Sequence, residues 1–218
     1  MLSSFFAIYT NGVGLTDGFP TPPGADVFLS ELSAAQLPGP HDELFGPHAA
    51  AFARAKFKRG FLLGFRRPLK GRSEPFFEQV RAAVLAATSG VKGWALDVLR
   101  LWPFPLADAE EALPEHLLAE DLFSVAFSDM GDHGVRGETV GLAKLGAREI
   151  SFVFGDRSLT EEATLMCGHL ADWLLEHNKR VEHGASMSLG FDRLSFSAVD
   201  GGAAGPSRGW HPPLIQKL

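Results

Sequence analysis

Glycine and proline cut this chain into short pieces, and that punctuation limits its fold more than any other feature. With 24 Gly and 14 Pro in 218 residues, the apolar positions fall into runs of strand or short-helix length. None approaches the ~18 residues that would suggest a membrane span. Phe5 to Tyr9 reads as a first strand, without the basic flank and full apolar stretch of a signal peptide. Asn11 to Gly24 reads as a Gly- and Pro-rich loop. Val27, Leu32 and Leu37 are spaced for a helix over 25–37. Residues 51–57 and 61–65 read as two strands around a Lys58-Arg59-Gly60 turn. In the first of these, Arg54, Lys56 and Lys58 alternate with Ala53, Ala55 and Phe57, the period of a half-buried strand.

A helix opens at Ser73-Glu74-Pro75 and closes at Thr88-Ser89-Gly90, with proline and glycine at the ends that suit them. Residues 94–99 read as a strand, Leu101 to Pro105 as a break, and 106–118 as a short helix. Two more strands are expected at 122–127 and 149–154. Ser158-Leu159-Thr160-Glu161 fits a capping box and starts a helix that runs to near Asn178. Its inward stripe is Ala163, Met166, Leu170 and Leu174; Glu162, His169, Asp172 and Glu176 face outward. A hairpin pairs 186–189 with 194–199 through Gly190. Paired strands set between helices predict an α+β fold, a mostly antiparallel sheet with helices packed on it. The two halves fit a repeated helix-strand-strand-helix-strand unit. Residues 1–200 form one domain in this reading, and 201–218 a Gly/Pro-rich mobile tail.

Apolar residues make up 45% and charged residues 21%, the usage of a globular chain rather than a disordered one. The one cysteine, Cys167, excludes an intrachain disulfide and a cysteine-rich zinc site, and a reducing cytoplasm is the expected location. Charge is unevenly spread. Between Arg54 and Arg72 lie eight basic residues and no acidic one, and the remainder holds 12 basic against 26 acidic residues, a balance of −14. Arg54, Lys56, Lys58, Arg59, Arg66 and Arg67 are therefore the candidate partner-binding residues, a cationic strip suited to a protein with an acidic surface. Phe52, Phe57, Phe61 and Phe65 interleave with these cations, as in single-strand nucleic-acid platforms. Alternation turns Phe57 to the core and leaves only Phe52 among the cations of its strand.

The motifs that suggest chemistry fail on mechanics. Gly205-Pro206-Ser207-Arg208-Gly209 spells the hydrolase elbow, but no carboxylate follows it and no strand leads into it. Gly12-Val13-Gly14 follows a strand but runs into Pro20, Pro22 and Pro23 rather than opening a helix. Asp129, Asp132 and His133 are a compact acid-imidazole cluster, equally the residues of a turn. Cys167 and His169, two positions apart on a helix, face different directions. His177 and His183 read as helix-end and loop residues. No cofactor, metal or catalytic set is assigned.

From Glu138 onward a different signal enters. Thr139-Val140-Gly141-Leu142-Ala143-Lys144-Leu145-Gly146-Ala147-Arg148-Glu149-Ile150 precedes a long helix, and His183-Gly184 introduces a last β segment. This stretch resembles the C-terminal part of the bacterial family catalogued as domain of unknown function 4261, with its Thr-x-Gly-Leu string, Phe- or Leu-Gly pair and acidic residue before a strand. Ala86 to Asp97 is a weaker echo. Leu145 stands where that family commonly has Phe, and the basic first half is longer. The resemblance implies a bacterial α+β protein and carries no activity or catalytic residue with it.

The leading expectation is a non-enzymatic protein-binding module, in its most concrete form an immunity or accessory protein that neutralises a toxin or effector. One alternative is a small enzyme assembled only in three dimensions, with Asp129, Asp132, His133, His169 and Glu149 as candidates. The other is a nucleic-acid-binding module using residues 54–72. No membrane role is expected.

Overall fold

A computed structural model describes residues 1–33, 48–70, 73–113, 115, 121–147, 149–154, 158, 160–177, 186–187 and 196–197. Its centre is the first apolar segment. Strand β1 (Leu2–Thr10) is buried along almost its whole length because it has a neighbour on each side. β3 (Arg59–Arg67) pairs along one edge, Leu2 facing Arg67 and Thr10 facing Arg59. β4 (Gly93–Asp97) pairs along the other, Phe6 facing Asp97. β2 (Asp26–Leu32) adds outside β3, and β5 (Trp102–Pro105) outside β4, giving the order β2-β3-β1-β4-β5 with every pair antiparallel. The α+β architecture with a mostly antiparallel sheet is what the sequence predicts.

Alternation along β1 divides the core in two. Leu2, Phe6 and Ile8 join Leu63, Phe65 and Ala95 beneath α2 (Glu74–Ala87). That helix contributes Phe76, Phe77, Val80, Ala83, Val84 and Ala87, a 3.6-residue stripe. Phe5, Ala7 and Tyr9 take the opposite face with Trp94, Leu96 and Val98. There α1 (Ala49–Ala55) is pinned by Phe52, whose ring lies edge-on to Tyr9 at 5.6 Å and to Trp94 at 5.8 Å. Each fully buried phenylalanine contributes about 1.5–3 kcal/mol through area removed from water.

Three expectations are corrected. Residues 51–57 are not a strand: Ala49–Ala55 is helical, because five alanines favour a helix over the alternation that Arg54 and Lys56 mimic. Residues 25–37 are not a helix over their described part: Asp26–Leu32 is an edge strand, exposed on both faces and so without a period-2 signature. Leu101 to Pro105 is not only a break. Trp102–Pro105 forms β5, and both prolines sit on an edge strand, where a missing N–H costs no ladder bond.

The second half is built differently from the first. A 3₁₀ turn (Leu106–Asp108) leads to α3 (Ala109–Ala112). Next comes the meander β6 (Ser124–Asp129), β7 (Val135–Val140) and β8 (Ser151–Phe154). Then follow α4 (Thr160–His177) and the short pair β9 (Ser186–Met187) and β10 (Phe196–Ser197). Leu122, Phe123, Leu142, Leu145, Ile150, Met166 and Cys167 share the core under α2, so one cluster runs through residues of both halves. The tail 201–218, the Gly190 turn, and the side chains of Leu170, Asp172, Leu174 and Glu176 lie outside the described residues.

Candidate functional site

The Thr139–Ile150 segment folds around one carboxylate. Glu149 accepts the backbone amides of Gly141 at 2.9 Å, Leu142 at 3.3 Å and Ala143 at 3.1 Å, and the Thr139 hydroxyl at 2.9 Å. These amides open the 3₁₀ turn Leu142–Leu145 and would otherwise lack acceptors, so Glu149 caps it from the far end of the loop. Burial pushes the Glu149 carboxyl up, and the four donors pull it partly back. Gly141, at φ 124°, lets the chain turn against Leu122 and Phe123, where a Cβ would collide with the backbone. The capped turn carries Lys144 inward.

Lys144 is buried, at 3% exposure, and its ammonium donates to the carboxylate of Asp97, itself 4% exposed at the end of β4. Asp97 Oδ1 also accepts the amide of Arg100 at 3.3 Å, within a tight turn that holds Leu101 at φ 54°. The pair ties the second half of the chain to the first sheet.

A cleft opens beside this pair. Ser4, Asp97 and Lys144, all nearly buried, line its floor, and half-buried Arg81, Arg100 and Asp121 stand toward its mouth with exposed Trp102. Phe6, Phe77, Val80, Phe104, Leu113 and Leu122 supply the walls. Its space is about 460 Å³ counted out to the open mouth. Arg100 donates to the Asp121 carbonyl at 3.0 Å and to the Ser124 hydroxyl at 3.1 Å, and its guanidinium lies 4.8 Å from the Trp102 ring centre. The Nε of Arg81 donates to the Leu113 carbonyl. Among the described residues the Ser4 hydroxyl makes no hydrogen bond, so the geometry as it stands assembles no base-activated nucleophile.

The six sequence-predicted partner residues do not form one strip. Arg54, Lys56 and Lys58 are exposed, at the end of α1 and in the link to β3. Arg59 pairs with Glu31 at 2.7 Å and lies over the Phe61 ring at 4.8 Å. Arg66 and Arg67 sit at the opposite end of β3 and on opposite faces: Arg66 over Phe5 and Phe28 at 5.0 and 5.5 Å, Arg67 over Phe76 at 5.0 Å. Phe52, expected among the cations, is a buried anchor.

Beside Arg66 is the edge of the first sheet. Gly64 stands between Phe5 and Phe28 in the pairing register, and without a Cβ it lets the Phe5 ring fold over β3 to within 6.5 Å of Phe28. Phe28 is 44% exposed and Leu29, on the other face, 49%. β2 has no strand on its outer side among the described residues.

The enzyme candidates stay apart in role. Asp129 accepts the Gly131 amide at 2.9 Å in a turn, and Asp132 and His133 are exposed on the following 3₁₀ turn. His169 is exposed, and Cys167 is buried with its thiol pushed up to about 12 by burial. Among the described residues no three His, Cys, Asp or Glu side chains converge as a metal site, and no helix is long and apolar enough to cross a membrane. The sequence reading missed Ser4, Arg81, Asp97 and Arg100. The available signal was a charged residue in an apolar segment, as in Trp94-Ala95-Leu96-Asp97 and Leu142-Ala143-Lys144-Leu145. No protein-family model matches the chain, and no curated protein or solved structure gives a significant match.

Proposed function

We infer that this is a non-enzymatic, protein-binding module of the bacterial cytoplasm, an immunity or accessory protein that neutralises a toxin or effector. The observation that carries this reading is the β2 edge, which no strand covers among the described residues, with Phe28 and Leu29 exposed on its two faces. A long edge with apolar residues is an aggregation hazard unless a partner covers it, and strand addition is a common way for a partner to do so. Backbone pairing would supply affinity, and the Phe5–Phe28–Arg66 group would supply selectivity through an aromatic and cationic surface. Arg54, Lys56 and Lys58, exposed at the other end of β3, would steer a partner with an acidic surface.

The test is capture from native lysate by the wild type and by Phe28→Lys/Leu29→Lys, with hydrogen exchange on the captured complex. The wild type is expected to retain a stoichiometric protein and to gain protection at residues 26–32. The double variant is expected to melt as the wild type does and to retain nothing. Equal capture by the variant, or unprotected β2 amides in the complex, would remove the edge from the functional account.

A further inference from the structure

We propose that the cleft beside the Asp97–Lys144 pair binds a small organic monocarboxylate, its carboxylate on the terminal nitrogens of Arg81 and its apolar body against Phe77, Val80 and Phe104. This site is separate from the β2 edge and does not rest on it. The charges that line the cleft are Arg81, Arg100 and Lys144 against Asp97 and Asp121, one positive in excess. Lys144 and Asp97 neutralise each other, and Arg100 is held by Asp121, Ser124 and Trp102. Arg81 is therefore the cation with capacity to spare. Its Nε is committed to the Leu113 carbonyl, which fixes the guanidinium plane, and its two terminal nitrogens make no other hydrogen bond among the described residues. A pre-oriented pair of N–H donors matches the two oxygens of a carboxylate.

The walls decide the rest of the ligand. They are mostly aromatic and aliphatic, the kind of lining that small-molecule sites use around a few polar groups. An inorganic dianion would leave these walls uncovered and would meet the carboxylates of Asp97 and Asp121. A monoanion with an apolar body satisfies both constraints. At the floor, the open Ser4 hydroxyl can accept or donate to a further polar atom.

Benzoate and hexanoate are suitable probes, with benzyl alcohol and inorganic phosphate as controls, followed by calorimetry and amide chemical shifts on the full chain. Benzoate is expected to bind with a roughly millimolar Kd, as a ligand of few atoms should, and to shift residues of α2 and the β4–β5 turn. Arg81→Gln should weaken it about ten-fold or more by removing the charged fork, and Ala112→Phe should block it by filling the cleft. Should Arg81→Gln fail to fold, Arg81→Lys keeps the charge without the fork and should also weaken binding. No binding of either carboxylate at about 20 mM, a level well above the Kd expected for so small a ligand, would overturn the proposal. So would benzyl alcohol or phosphate binding as tightly as benzoate, or unchanged affinity in the folded Arg81 variants.

Discussion

Two buried groups make opposite demands on their surroundings. The Lys144 ammonium and the Asp97 carboxylate are both out of water, and each tolerates burial only because the other is there. Lys144→Met should cost about 3–5 kcal/mol, because it leaves Asp97 charged and unpaired. Adding Asp97→Leu should recover most of that loss, since an apolar pair of similar size needs no compensation. Urea midpoints of the two single variants and the double variant check this; additive losses would mean that the pair is not coupled. Cys167 needs no partner. With its thiol at about 12, the reactive thiolate is scarce at pH 8, and the side chain is only 1% exposed. Alkylation by iodoacetamide at pH 8 should therefore be negligible in the native protein and rapid in urea. Labelling of the native protein at the unfolded rate would contradict this burial.

At the scale of elements, the sequence could be read where one face is buried and not where both are open. β1, β3 and α2 follow from their patterns, because burial selected alternation or a 3.6-residue stripe. β2 was hidden because an edge strand exposed on both faces has no reason to alternate. α1 was hidden because its cations alternate with alanines, and Lys56 continues the pattern only by leaving the helix at φ 49°. The cleft was illegible for another reason. Its polar residues come from β1, α2, β4, the turn after β4, the segment before β6 and the 3₁₀ turn at 142–145, so only tertiary packing brings them together. Lys56 gives a direct test of this element reading. A non-glycine residue in the left-handed region is strained by about 1–2 kcal/mol, and glycine is the usual residue after a helix. Lys56→Gly should raise stability by about 0.5–1 kcal/mol once glycine's extra unfolded-state entropy is subtracted. A thermal melt decides it, and a lower midpoint would show that Lys56 makes contacts worth more than its strain.

At the scale of the whole molecule, the five-stranded sheet and the β6–β8 meander share one core cluster, and the Asp97–Lys144 pair joins the first sheet to the turn after β7, which should make them unfold together. Calorimetry should give one transition, with calorimetric and van't Hoff enthalpies in agreement; two transitions would divide the chain into separate units. The charge distribution adds a test that stability cannot supply. Arg54, Lys56 and Lys58 are exposed and lie outside both core clusters, so reversing all three to Glu should leave the fold standing. They sit on a chain whose net charge is −6, and among the described residues they form no continuous track with Arg66 and Arg67 for a nucleic-acid backbone. The wild type should therefore pass through a heparin or single-stranded DNA column near physiological salt, whereas a protein neutralising many phosphates would be retained and released steeply as salt rises. With an acidic protein partner the same three residues act at a distance. Association of the triple variant should be slower, its dissociation rate should be unchanged, and the salt dependence of association should weaken. An unchanged association rate would strip these cations of any steering role, and retention on DNA would move them to the nucleic-acid reading.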